Sequence, residues 1–147
     1  MLDFLWHLRG TVVLDMAMPD EEVFDRLHAM LVGQEKPVTP DDGRQIGFDA
    51  PLWRNLYGSN WRAMVIYDRG DFWLDRQNGR RVLRYDLRSL HTFIFCLGAA
   101  GLFFSAGSSG SLEQGVKLAG LALGWLYGMN LLLASLRVPR LIRRMLR

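Results

Sequence analysis

The spacing of apolar residues changes twice along the chain, and each change marks a different kind of element. From Leu8 to Met18 the positions alternate. Leu8, Val12, Leu14, Met16 and Met18 share one face with Gly10, while Arg9, Thr11, Val13, Asp15 and Ala17 share the other. A period of two predicts a half-buried strand. From Val23 the period lengthens, and Val23, Phe24, Leu27, Met30 and Leu31 recur at helical spacing. Pro19 suits the first helical position, Asp20, Glu21 and Glu22 complement the positive helix N-terminus, and Gly33 is placed to end it. Gln34 to Arg44, with Pro37, Pro40 and Asp41-Asp42-Gly43, is expected to be a loop. Adjacent loop acids such as Asp41 and Asp42 are turn formers before they are catalysts.

A short strand is expected at Arg44 to Asp49, and a helical turn at Pro51 to Asn60. Three strands then follow, Trp61–Tyr67, Phe72–Gln77 and Arg80–Arg88, the first two joined by a turn at Asp68-Arg-Gly-Asp71. Asn78-Gly79 is the strongest hairpin signal, because both residues tolerate the positive φ of a type I′ turn. A two-residue turn there sets Gln77 against Arg80, Leu74 against Leu83 and Phe72 against Tyr85, which builds one apolar face. On the other face Trp73 opposes Arg84, a candidate cation–π pair. The Arg-Gly-Asp tripeptide is a turn composition here, not an adhesion signal.

Beyond Arg88 the periodicity disappears into two uncharged runs, Leu90 to Gly107 and Leu118 to Leu136, separated by a small-residue and polar link. As helix each run is ~27–29 Å long, close to the ~30 Å hydrocarbon thickness of a bilayer. Two such runs in a short chain leave little other protein to cover them, and an isolated pair in lipid must be helical to satisfy its backbone. Arg80, Arg81, Arg84 and Arg88 precede the first run, and Arg137, Arg140, Arg143, Arg144 and Arg147 follow the second. Basic flanks stay cytoplasmic. The expectation is a bacterial-type inner-membrane protein with two spans, both termini cytoplasmic and only the link outside. The N-terminus lacks a basic n-region, so the first span is expected to direct its own insertion.

Charge sharpens this division. The 147 residues carry a net +3, yet residues 1–88 hold 12 bases and 14 acids while residues 89–147 hold 6 bases and 1 acid. The basicity belongs to the membrane flank and tail, and the mildly acidic remainder offers no footprint for nucleic acid. The single cysteine, Cys96, lies inside the first span, where it serves as a small packing residue. Sixteen of the 18 basic residues are arginine.

The fold expected is therefore α+β. Residues 1–88 form a cytoplasmic strand–helix–strand followed by a three-stranded antiparallel meander. Residues 89–137 form a transmembrane helical hairpin, and residues 138–147 a basic amphipathic tail. In the second span Gly120, Gly124 and Gly128 make a smooth stripe suited to close helix approach, and Asn130 lies deep enough to want a hydrogen-bond partner. The two spans packing on each other through such stripes is the plainer use of them; docking a partner helix is the other. In the tail Leu141, Ile142, Met145 and Leu146 are expected to face lipid while Arg140, Arg143, Arg144 and Arg147 meet anionic headgroups. The group Trp53, Arg54, Tyr57, Trp61, Trp73 and Arg84 has the composition of an interface anchor set.

Chemistry is marked by absence. There is no phosphate-binding glycine loop, no His pair at metal spacing and no nucleophile–base signature, so no catalytic residue, metal or cofactor is assigned. The function expected is a non-enzymatic accessory or scaffold subunit. Its partners would be a larger membrane complex or further copies of itself, together with anionic lipids. A membrane-anchored protein binding a lipid or apolar ligand is the alternative, and a membrane-bound enzyme a third.

Overall fold

The computed structural model describes residues 3–40, 44–51 and 62–147. Strand β1 (His7–Val13) leads to helix α1 (Asp20–Gly33), short strands β2 (Val38–Pro40) and β3 (Gln45–Asp49), and the long hairpin β4 (Arg69–Gln77) and β5 (Arg80–Arg88). Helices α2 (Leu90–Ser108), α3 (Leu112–Leu123) and α4 (Met129–Met145) complete the chain, with a π turn at Gly124–Gly128 joining α3 to α4. The strands form one five-stranded antiparallel sheet in the order β1-β5-β4-β3-β2.

The β4–β5 register is the one the Asn78-Gly79 turn dictates. Gln77 faces Arg80, Leu74 faces Leu83 and Phe72 faces Tyr85, with φ of 52° at Asn78 and 75° at Gly79. One face of the sheet collects Val12, Ile46, Phe48, Phe72, Leu83, Tyr85 and Leu87, all buried. Helix α1 covers it with Val23, Leu27 and Leu31, each fully buried at the i, i+4 spacing of its apolar stripe. Position 70 lies on the same face, and it is glycine because a Cβ there would sit 2.4 Å from the Phe48 ring and 2.5 Å from Leu87.

Several sequence expectations fail locally. Strand β1 stops at Val13: Leu14 is still buried, but Ala17 donates to the Asp15 carboxylate (3.1 Å), which turns the chain and leaves Met16 exposed. Pro19 caps α1 from outside, with φ −63° and ψ 154°, and Gly33 is its last helical residue; the left-handed position after it is Glu35, φ 55°. The expected loop contains β2, and residues 62–66 are turns, not the first strand of a meander. That place beside β4 is taken by β3, Ile46 lying opposite Phe72. The expected turn at 68–71 is instead the start of β4, and its Arg-Gly-Asp is strand.

The largest correction concerns the C-terminus. The tail is not a separate lipid-facing segment. Helix α4 carries straight into the sheet core, where Ala134, Val138 and Ile142 are buried, the last two completely, with Leu131, Leu141, Met145 and Leu146 packed around them. Arg26 donates to the carbonyl of Met145 (3.1 Å) and so satisfies one of the free carbonyls at the helix end.

Two helical stretches, Leu90–Ser108 and the 34 residues Leu112–Met145, are long and apolar enough to cross a membrane. Only 22% and 17% of their most apolar windows are buried inside the molecule. The core helix of a soluble protein would have that surface covered. Here Ile94, Phe95, Leu102, Leu121 and Trp125 are between 55% and 74% exposed.

Candidate functional site

The sheet meets the hairpin with a single residue, Ser89, between β5 and α2. Ser89 is fully buried, its N–H donating to the Trp6 carbonyl (2.7 Å). Its hydroxyl shares a hydrogen bond of 2.9 Å with the Tyr127 hydroxyl, which donates to the Leu5 carbonyl at 2.6 Å. The Phe93 ring meets Tyr127 edge-on at 5.1 Å and Trp6 at 5.7 Å. One turn into α2, Thr92 donates to the Ile66 carbonyl (2.7 Å). Three separate stretches of chain are thus pinned to one level of the hairpin.

Charge is gathered beside this pin. The Asp68 side chain is wholly buried and accepts two hydrogen bonds from Arg88, at 2.8 and 3.0 Å, and one from the His91 N–H at 3.2 Å. The His91 ring lies 3.6 Å away. Burying a carboxylate is tolerable because the ion pair and hydrogen bonds replace its water. Lys36 is buried nearby, donates to the Tyr67 carbonyl (2.7 Å) and stands over the Phe48 ring at 5.3 Å. Burial lowers its pKa to about 8, with Asp68 opposing the shift. Burial likewise pushes Tyr67 well above the usual tyrosine range, and its hydroxyl has no partner among the described residues. Sequence reasoning missed this cluster because Lys36, Asp68 and the Arg88–His91 junction come from three separate places in the chain. Their one shared mark is position, at or near the ends of α1, β4, β5 and α2. Among the described residues no three His, Cys, Asp or Glu side chains converge as metal donors.

Of the anchor set, Trp53, Arg54, Tyr57 and Trp61 lie outside the described residues. Trp73 and Arg84 face each other on the open side of the sheet, but the Arg84 guanidinium pairs with the Asp75 carboxylate (2.9 Å), so an ion pair stands where a cation–π contact was expected. Asp71 and Asp86 are direct cross-strand neighbours on that side, an unfavourable like-charge pair. His7 and Arg9 answer Asp86 at 2.6 and 2.7 Å.

The hairpin does not close through its glycine stripe. Cys96, Ala100 and Gly107 of α2 turn inward, as do Gly115 and Tyr127 of the second span. A Cβ on Gly115 would lie 3.0 Å from the Phe104 carbonyl and one on Gly107 3.0 Å from Gly115 itself, so these two glycines set the closest approach. Gly98, Gly101, Gly120, Gly124 and Gly128 have nothing within 4 Å of such a Cβ. Asn130 is exposed, three residues past Tyr127 and so at the sheet end of the span, not deep within it. Its amide donates to the Leu126 carbonyl (2.6 Å) inside the π turn, which gives it an occupation other than docking.

The arginines separate into two groups. The π turn and α4 run beside the N-terminal segment, from Leu5 at Tyr127 to the level of Val13 and Asp15 at Arg143. Arg143, Arg144 and Arg147 are exposed at the end remote from the hairpin, on the order of 24 Å of helix past Tyr127. Arg137 and Arg140 are exposed between the two ends. A groove of about 590 Å³ at the remote end is lined by Val12, Asp15, Met18, Glu22, Arg143 and Leu146, among others. Its charged walls do not suit an apolar ligand.

Comparison with protein-family models, with curated proteins and with solved structures found no match to this chain.

Proposed function

We propose that the protein is a non-enzymatic accessory subunit of a larger inner-membrane complex. Its hairpin crosses the bilayer with the sheet on the cytoplasmic side, and a helix of the partner lies along the outer face of the second span. The basic flanks support the orientation. The observation that carries the docking is the uncovered stripe of Gly120, Gly124 and Gly128, left free because the hairpin closes through the opposite side of the same helix. In a regular helix residues four apart drift by ~40° around the axis, so three such glycines would spread over ~80°. The wider i→i+5 turn at Gly124–Gly128 winds less per residue and brings the third glycine back towards the line of the first. A straight smooth stripe lets another backbone approach closely. The pinned junction then holds the sheet in a fixed attitude to whatever occupies that stripe.

The test is Gly124→Leu. The bulky side chain leaves the hairpin contacts untouched, so insertion persists, while co-migration with the partner on native gels is lost. A wild-type protein that leaves mild detergent extraction as a lone monomer, or a variant whose complex migrates unchanged, removes this reading.

A further inference from the structure

We propose that the outer face of α4 is an interfacial seat for anionic lipid, and that the molecule leans on the bilayer on that side. The two arms of the hairpin present apolar surface of unequal length. From Ser89 to the link, α2 has 19 residues, or about 28 Å, enough for the hydrocarbon core. The second arm reaches the same level at Tyr127, which bonds Ser89. Its exposed apolar surface nevertheless continues through Met129, Leu132, Leu133 and Leu136, which are 39%, 54%, 40% and 48% exposed. That is roughly 13 Å of helix beyond the junction, against a headgroup layer of only about 5–7 Å per side. An upright molecule would leave Leu136 in water. Tilting, the ordinary response of a long apolar arm, brings the stripe back to the acyl boundary.

Charge complementarity selects the occupant. Helix α4 contains no acid, and Arg137 and Arg140 are exposed immediately past the leucines. Apolar residues followed by exposed arginines are the pattern of a helix lying in an anionic interface. The stripe is also continuous with the exposed apolar surface of the span. Phe4, 70% exposed and next to the Leu5 carbonyl that holds Tyr127, adds an aromatic side chain at the same level. Arg143, Arg144 and Arg147 stand too far from the hairpin to take part.

The experiment uses full-length protein in nanodiscs, either phosphatidylcholine alone or with phosphatidylglycerol, carrying a spin label at Leu133→Cys in a Cys96→Ser background. Accessibility is read with lipid-soluble oxygen against a water-soluble nickel chelate. The oxygen-to-nickel ratio should exceed that of a label at exposed Arg76→Cys by several-fold, rise with phosphatidylglycerol, and fall when Arg137→Gln and Arg140→Gln are combined. A second label at Leu136→Cys guards against misfolding of the first. Nickel-dominated labels at both sites in both membranes overturn the seat. A label protected only in native membranes overturns it too, by assigning the face to protein, while the outcome with Gly124→Leu stands apart.

Discussion

The second long helix has two halves that both carry an apolar stripe, and only the second sinks part of that stripe into the core. From Leu112 to Gly128 Tyr127 turns inward, while Leu112, Val116, Leu121 and Trp125 face outward, the last two each 71% exposed. From Met129 to Met145 it buries Val138 and Ile142 to 0% exposure against the sheet and α1. The first half satisfies its backbone internally and leaves its apolar surface uncovered by the rest of the molecule. The second half supplies part of the core that a five-stranded sheet with one helix could not complete alone. The lesson is that an apolar stripe specifies burial, and not the solvent that provides it.

That contrast makes quantitative demands. The largest effect is expected at Ile142→Ala, which removes a fully buried side chain and should cost about 2–5 kcal/mol, read as a lower unfolding temperature of the detergent-solubilised protein. A neutral result would mean that α4 is not part of the core. Next comes the pH dependence of the sheet half. The folded pKa of Lys36, about 8, lies below its ordinary value of 10.5, so the unfolded chain binds more protons between those values. Stability should therefore rise from pH 8 to 10.5 and fall as pH drops through 8, by at most about 3 kcal/mol. Lys36→Met should flatten that slope in parallel denaturation curves, and an unchanged slope would assign it elsewhere.

At the boundary between the halves, Tyr127→Phe strips one donor from the Leu5 carbonyl and one partner from Ser89, and a loss of about 1–3 kcal/mol is expected. Faster amide exchange at Trp6 and Ser89 would show that the pin, and not the core, had loosened. The smallest effect belongs to the uncovered half. Leu121→Ala, at a position 71% exposed, should shift stability within about 0.5 kcal/mol. A cost like that of Ile142→Ala would mean that the two halves are not different environments.

The features legible in the sequence are those fixed by local chemistry. Asn78-Gly79 fixes the hairpin register, because no other two-residue turn of that composition fits the strand twist. The two uncharged runs were legible as helices long and apolar enough to cross a membrane. Features set by distant chain were misread. Arg69-Gly70-Asp71 has turn composition, yet Gly70 is small because Phe48 and Leu87 crowd it. The apolar run before Tyr67 has the composition of a strand, and β3 holds the place instead. Leu141, Ile142, Met145 and Leu146 have the helical period of a lipid-facing segment, and the same period serves a protein core. At the candidate site the glycine stripe was legible as spacing, but which side of the helix it faces depended on Gly107 and Gly115. The buried cluster at Asp68 was not legible at all, since its members share no motif.

The proposed topology requires the two ends of the second long helix to lie on opposite sides of the membrane. Impermeant thiol labelling of single cysteines, Ser109→Cys in the link and Arg147→Cys at the core end, both in Cys96→Ser, tests this directly. The link cysteine should be labelled in intact cells and the terminal one only after the membrane is opened. Labelling of both under the same condition would contradict a helix that leaves the bilayer to enter the core.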